Sequence, residues 1–276
     1  MTLDAHQHFW HYDSVVYDWI DDSMQVIAKD FLPSDLAPLL QKNSIEGCIA
    51  VQARESEEET DFLIDLAHKN PFIKGVVGWI DLQHADIEDR LNHYASIKIV
   101  NGFRHVIQAE ADIDFMLRPA FLRGITALKK HDFVYDILIF PTHLPNACKL
   151  VKQFPEQIFV LDHIAKPDIK NGETAAWTKD IKALAAYPNV YCKISGMVTE
   201  ADWSKPEPDV FTPYINHVID SFGTQRVMFG SDWPVCQVAA SYDRVVEIVE
   251  KNTQHLSYAE KEMLWGKTCA EVYNVS

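Results

Sequence analysis

Short apolar runs rich in Val, Ile, Phe and Tyr recur along the chain, each followed by a longer stretch in which apolar residues return at helical spacing. The runs predict strands at Leu3–His6, Gly47–Gln52, Lys74–Ile80, Gly102–His105, Val134–Leu138, Ile158–Asp162, Val190–Ile194 and Arg226–Phe229. Between them lie helix-start signals: Ser34 before Asp35, Ser56 followed by Glu57, Glu58 and Glu59, Pro119, Pro145, and Ser257 with Glu260. Phe62, Leu63, Leu66 and Ala67 fall on one helical face. Eight strand–helix units at roughly 35 residues each predict an α/β protein, a (β/α)8 TIM barrel formed as one domain over residues 1–276. An open doubly wound sheet would carry a Gly-rich phosphate loop after its first strand, and DAHQHFW offers none, so no organic cofactor is expected.

Composition narrows the partners. With 25 Lys+Arg against 40 Asp+Glu, the net charge of −15 repels phosphate backbones and anionic lipid, so neither nucleic acid nor a membrane is expected as a partner. The apolar run near Ile137–Phe140 is far below the ~18 residues that a bilayer span requires. The N-terminus MTLDAHQHFW is not apolar as a signal peptide would be, and a cytoplasmic location is expected. The five cysteines, Cys48, Cys148, Cys192, Cys236 and Cys269, are scattered and include no CxxC pair, as suits reduced core thiols. A homo-oligomer stays open.

A barrel gathers its reactive groups at the C-terminal ends of its strands. The expected ends carry Asp4, His6 and His8; Gln52 and Arg54; Trp79 and Asp81; Arg104 and His105; Asp136; Asp162, His163 and Lys166; Lys193 and Ser195; and Ser231, Asp232 and Trp233. His6 and His8 stand two apart on a strand and so face the same way, suited to hold a divalent cation or to polarise a carbonyl. Asp232, in FGSDWP, combines a carboxylate with an aromatic wall and is the candidate base for activating water.

Eleven segments in order carry a resemblance: DAHQHFW, VYDWI, VQAR, VVGWID, GFRH, VYDILIF, LDHIAKP, CKISG, MVTEADW, FGSDWPVC and AASYD. Together they resemble the amidohydrolase superfamily, and within it the sugar-lactonase branch of the L-fuconolactonase and L-rhamnonolactonase type. The resemblance implies a (β/α)8 barrel, hydrolysis of an aldonolactone such as L-fuconolactone, and catalytic roles for His6, His8, His163 and Asp232. Superfamily members with two metals resemble one another in a bridging lysine or glutamate on strand four or five. Here those places hold Arg104, His105 and Asp136, which argues against a binuclear centre. One divalent ion, zinc by ligand type, held by His6, His8, His163 and Asp232, and a metal-free site both stay open.

In the expected reaction Asp232 takes a proton from water and later returns it to the ring oxygen, while His6, His8, His163 and Arg104 are the donors for the oxyanion. The sugar hydroxyls need polar partners around an aromatic floor. The candidates are Arg54, Arg104, Lys166, Lys193, Gln52, Trp19, Trp79, Trp203 and Trp233. A zinc-dependent decarboxylase and a sugar-binding protein without turnover are the competing readings.

Overall fold

The computed structural model describes residues 1–172, 174–204 and 206–275. Eight strands form one parallel sheet in sequential order: β1 Leu3–Gln7, β2 Gly47–Val51, β3 Ile73–Gly78, β4 Val100–His105, β5 Val134–Ile137, β6 Phe159–Leu161, β7 Val190–Ile194 and β8 Val227–Phe229. Parallel strands are buried on both faces, and this is why the sequence shows them as nearly continuous apolar runs. The ring closes just past β8: Asp232 N–H donates to His6 O at 2.8 Å and His8 N–H donates to Trp233 O at 2.7 Å. The expected (β/α)8 barrel is therefore present.

Helices α1 Pro33–Lys42, α2 Glu57–Lys69, α3 Ile87–Ala95, α4 Pro119–Lys130, α5 Leu144–Gln153, α6 Ala175–Ala185, α7 Pro208–Phe222 and α8 Tyr242–Asn252 alternate with the strands. Ser56 caps α2 by accepting from Glu58 N–H, and the three glutamates that follow complement the positive end of the helix. Helix α1 starts one residue before the expected Ser34. Pro33, whose fixed φ suits a first turn and which has no N–H to satisfy, opens it, and the Asp35 carboxylate accepts from Leu32 N–H at 2.9 Å. None of the described helices is long and apolar enough to cross a membrane.

Two bodies of apolar side chains follow from the alternation of strand residues. The larger lies between strands and helices. The smaller unites Leu3, Ala5, Ile49, Val51, Val77, Val134, Val160 and Met228, and the C-terminal segment joins it through Cys269 and Tyr273. In β1 the register against β2 shifts between Asp4 and Gln7. Asp4 reaches Tyr242 of α8 at 3.0 Å and also accepts from His6 N–H, and beyond that irregularity His6 and His8 enter the polar interior.

Candidate active site

Four groups meet where β1, β6 and β8 end. His6 Nε2 lies 3.2 Å from His8 Nε2, and Asp232 Oδ1 lies 3.3 Å from His8 Nε2 and 3.8 Å from Nε2 of both His6 and His163. All four side chains are buried. Unusual backbone places two of them. His163, Ile164, Ala165 and Lys166 run through four consecutive positive φ values between 48° and 60°, and Asp232 has φ 58°. Left-handed backbone is unfavourable for L-residues, most of all for a β-branched one, and such strain concentrates at functional sites. Here it gives His163 and Lys166 to the same cavity wall.

Beneath this group lies a balanced set of buried charges. Lys193 Nζ donates to Asp136 Oδ2 at 2.5 Å and lies 3.0 Å from Asp162 Oδ1 and 3.2 Å from His6 Nδ1. Arg104 Nη1 reaches Asp162 Oδ2 at 3.0 Å and His6 Nε2 at 3.2 Å, while its Nη2 donates to the Gln52 carbonyl. Tyr273, from the C-terminal segment, donates its hydroxyl to both Asp136 oxygens at 2.8 and 2.9 Å. Two cations against two carboxylates leave the floor neutral, as buried charge requires.

The electrostatics follow from burial and pairing. Burial would raise Asp162, but Lys193 above all, then His6 and Arg104, hold it well below the usual carboxylate range. Asp232 behaves in the same way: burial is overcome by His163 and by the other imidazoles around it, so the carboxyl stays ionised. Burial depresses His6 well below its ordinary value and His163 to about 4, so both imidazoles are neutral at pH 7.

Hydrogen bonding selects the tautomers. His8 Nδ1 lies 2.8 Å from the Val51 carbonyl, which can only accept, so the ring's free electron pair is on Nε2. An N–H of Arg104 faces His6 Nε2, which therefore also presents its electron pair. Two nitrogen lone pairs and one carboxylate oxygen thus confront each other at 3.2, 3.3 and 3.8 Å. Bonds of 2.0–2.1 Å to a tetrahedral zinc imply ligand separations of roughly 3.3 Å, so His6, His8 and Asp232 fit one such ion and leave a position open. His105, at the end of β4, is turned elsewhere: it stacks on Phe115 and its nitrogens face Glu55 and Glu110.

A cavity of about 530 Å³ opens above the group. His8, His163, Asp232, Arg104, Arg54, Lys166, Trp19 and Trp203 line it. Four sequence candidates do not. Trp79 donates its indole N–H to His105 Nδ1 at 3.2 Å, and Trp233, 1% exposed, packs edge-on against Phe9 and Phe31. Gln52 is wholly buried, with its carbonyl on Arg104, and Lys193 is spent on the charges below. His6 also stands beneath the cavity wall rather than on it, because the shift in β1 sets it deeper than His8. Sequence reasoning missed Asp18, Glu55, Gln108 and Glu200, which line the same cavity. Of these, Asp18 and Glu200 lie inside the VYDWI and MVTEADW segments, the signal that could have found them.

A family model for amidohydrolases matches residues 3–275. An L-fucono-1,5-lactonase of Burkholderia multivorans is 41% identical, with 99% of this chain and 96% of that protein covered. A second L-fucono-1,5-lactonase, from Burkholderia ambifaria, is 38% identical, with 87% and 82% covered. The crystal structure of an amidohydrolase from Burkholderia multivorans with bound zinc superposes with a TM-score of 0.96 at 41% identity, and each chain is covered in full.

Proposed function

This chain belongs to the amidohydrolase family and is a lactone hydrolase, and we propose that its substrate is a sugar aldonolactone of the L-fucono-1,5-lactone kind, opened to the aldonate. The observation that carries the site assignment is the convergence of an ionised Asp232 with His6, His8 and His163 at the base of a cavity lined by Arg54, Lys166, Trp19 and Trp203.

Asp232 is the base: its Oδ1, between His8 and His163, takes a proton from water as the water oxygen attacks the carbonyl carbon. His163 presents Nε2 to the same space while Nδ1 lies 2.9 Å from the Ser195 hydroxyl; with that hydroxyl as donor, the ring carries its N–H on Nε2 and offers it to the developing oxyanion. Arg104, fixed by Asp162 and the Gln52 carbonyl, adds a permanent positive charge at the cavity floor. Trp19 and Trp203 form apolar walls, and Arg54 and Lys166 offer donors to the hydroxyls. The site also suits one divalent ion on His6, His8 and Asp232, with His163 beside it, and zinc there would polarise the carbonyl and acidify the attacking water.

A pH-indicator assay tests the reading, because each ring opening releases a proton. L-fucono-1,5-lactone and related aldonolactones, with and without chelator, should give fast acidification, and Asp232→Asn should lower kcat by about 100-fold or more. Silence across the panel, or full activity in Asp232→Asn, overturns the assignment.

A further inference from the structure

We infer that Glu200 is the general acid that protonates the ring oxygen as the lactone opens, so that water activation and leaving-group protonation fall to two different carboxyl groups. The inference rests on the lactonase reading above. Asp232 Oδ1 is surrounded by imidazole nitrogens at 3.3 to 3.8 Å, which suits it to receive water's proton.

Glu200 sits differently. It ends the 3₁₀ turn Val198–Glu200 beyond β7, and its side chain lines the cavity with Asp232, His163 and Lys166. The turn is pinned: Trp203 Nε1 donates to Thr199 O at 2.8 Å, Lys170 N–H to Glu200 O at 2.9 Å, and Glu200 N–H to Met197 O at 3.2 Å. The carboxyl accepts only a long 3.3 Å bond from Thr199 Oγ1, and no cation among the described residues pairs with it. A half-buried carboxyl held by one long hydrogen bond is more readily protonated than a solvated one, and such groups mark reacting sites. Burial raises its proton affinity and Lys166 offsets this only in part, with Asp232 and Asp168 adding to the rise. Two carboxyl groups in one cavity, one held ionised and one pushed toward its acid form, divide the roles of base and acid.

The balance is complete. Water gives one proton to Asp232 while its oxygen bonds to the carbonyl carbon. The intermediate collapses with cleavage of the bond from that carbon to the ring oxygen, whose electron pair takes the Glu200 proton and becomes a hydroxyl. The new carboxylic acid ionises, Asp232 releases its proton to solvent and Glu200 regains one. The net change is lactone plus water to aldonate plus one proton.

The experiment compares wild type with Glu200→Gln, which keeps shape and the Thr199 contact, on an aldonolactone and on dihydrocoumarin, a six-membered lactone whose phenol leaves without protonation. Expected are a fall in kcat of about 100-fold on the aldonolactone with KM within about threefold, a fall below about fivefold on dihydrocoumarin, and loss of the alkaline limb of the kcat profile on the aldonolactone. An unchanged rate, an equal fall on both lactones, or a retained alkaline limb overturns the role. Wild type inert toward every lactone would instead overturn the reading on which the role rests.

Discussion

The imidazole of His163 occupies the space that a side chain on Gly196 would need: a Cβ there would lie 2.5 Å from Nδ1 and 2.6 Å from Cγ of the ring. Gly196 also has φ 60°, in the left-handed region. Glycine at this position is thus what lets β7 pass beneath the histidine of the neighbouring strand end. Gly196→Ala should displace the ring and lower kcat by about 100-fold, as misplacement of about 1 Å at a reacting group does. The strain should also lower stability by about 1–2 kcal/mol. Steady-state kinetics together with a melting curve check both. Wild-type turnover in the variant would show that the ring position does not matter.

The tryptophans separate by place. Trp19 lines the cavity, whereas Trp79 is bonded to His105 outside it. Trp19→Ala should raise KM by about fivefold, the equivalent of about 1 kcal/mol of aromatic contact, while Trp79→Phe should leave KM within about twofold. A KM effect of the reverse order would relocate the sugar.

His163 makes stability depend on pH with a definite sign. Its folded pKa is about 4 against about 6.5 in the unfolded chain, so between these values the unfolded chain binds a proton that the folded one does not. The folded state therefore keeps its full advantage above pH 6.5 and loses it as pH falls toward 4, a change of about 3 kcal/mol. Asp4, raised by burial to about 6, acts in the opposite sense but is common to wild type and variant. Urea unfolding of chelator-treated protein should show the stability of wild type, relative to His163→Gln, rising by about that amount from pH 4 to pH 7.5. Parallel curves would contradict a buried neutral His163.

Zinc added to chelator-treated protein should raise the melting temperature, by about 2.7 kcal/mol of added stability at a hundredfold excess over Kd, and His8→Asn should abolish the shift. Equal shifts in both proteins would place the metal elsewhere.

The barrel was legible because parallel strands show as apolar runs and because reactive residues stand at their C-terminal ends. His8, His163 and Asp232 could be found in that way. The charge floor could not. Asp136, Asp162 and Lys193 come from three strands, and only closure of the ring brings them under His6. The offset of His6 from the cavity depends on a shift in the register of β1, which no residue type announces. Trp79, Trp233 and Gln52 are aromatic or polar like true cavity residues, and their side-chain direction, set by loop geometry, decides against them. Glu200 belongs to a quoted segment, yet the role proposed for it emerges only from its place on the cavity wall and its single long hydrogen bond from Thr199.

Asp18 and Glu55, on the cavity wall, have a consequence for traffic. A lactone arrives uncharged and leaves as an anion. The field of these carboxylates, reinforced by the net charge of −15, does little to the incoming molecule and opposes the pull of Arg54, Arg104 and Lys166 on the outgoing one. Added salt should therefore leave substrate capture nearly unchanged while slowing escape of the product, so that inhibition by aldonate grows with ionic strength. The wall thereby weakens product inhibition and leaves the equilibrium of the hydrolysis unchanged.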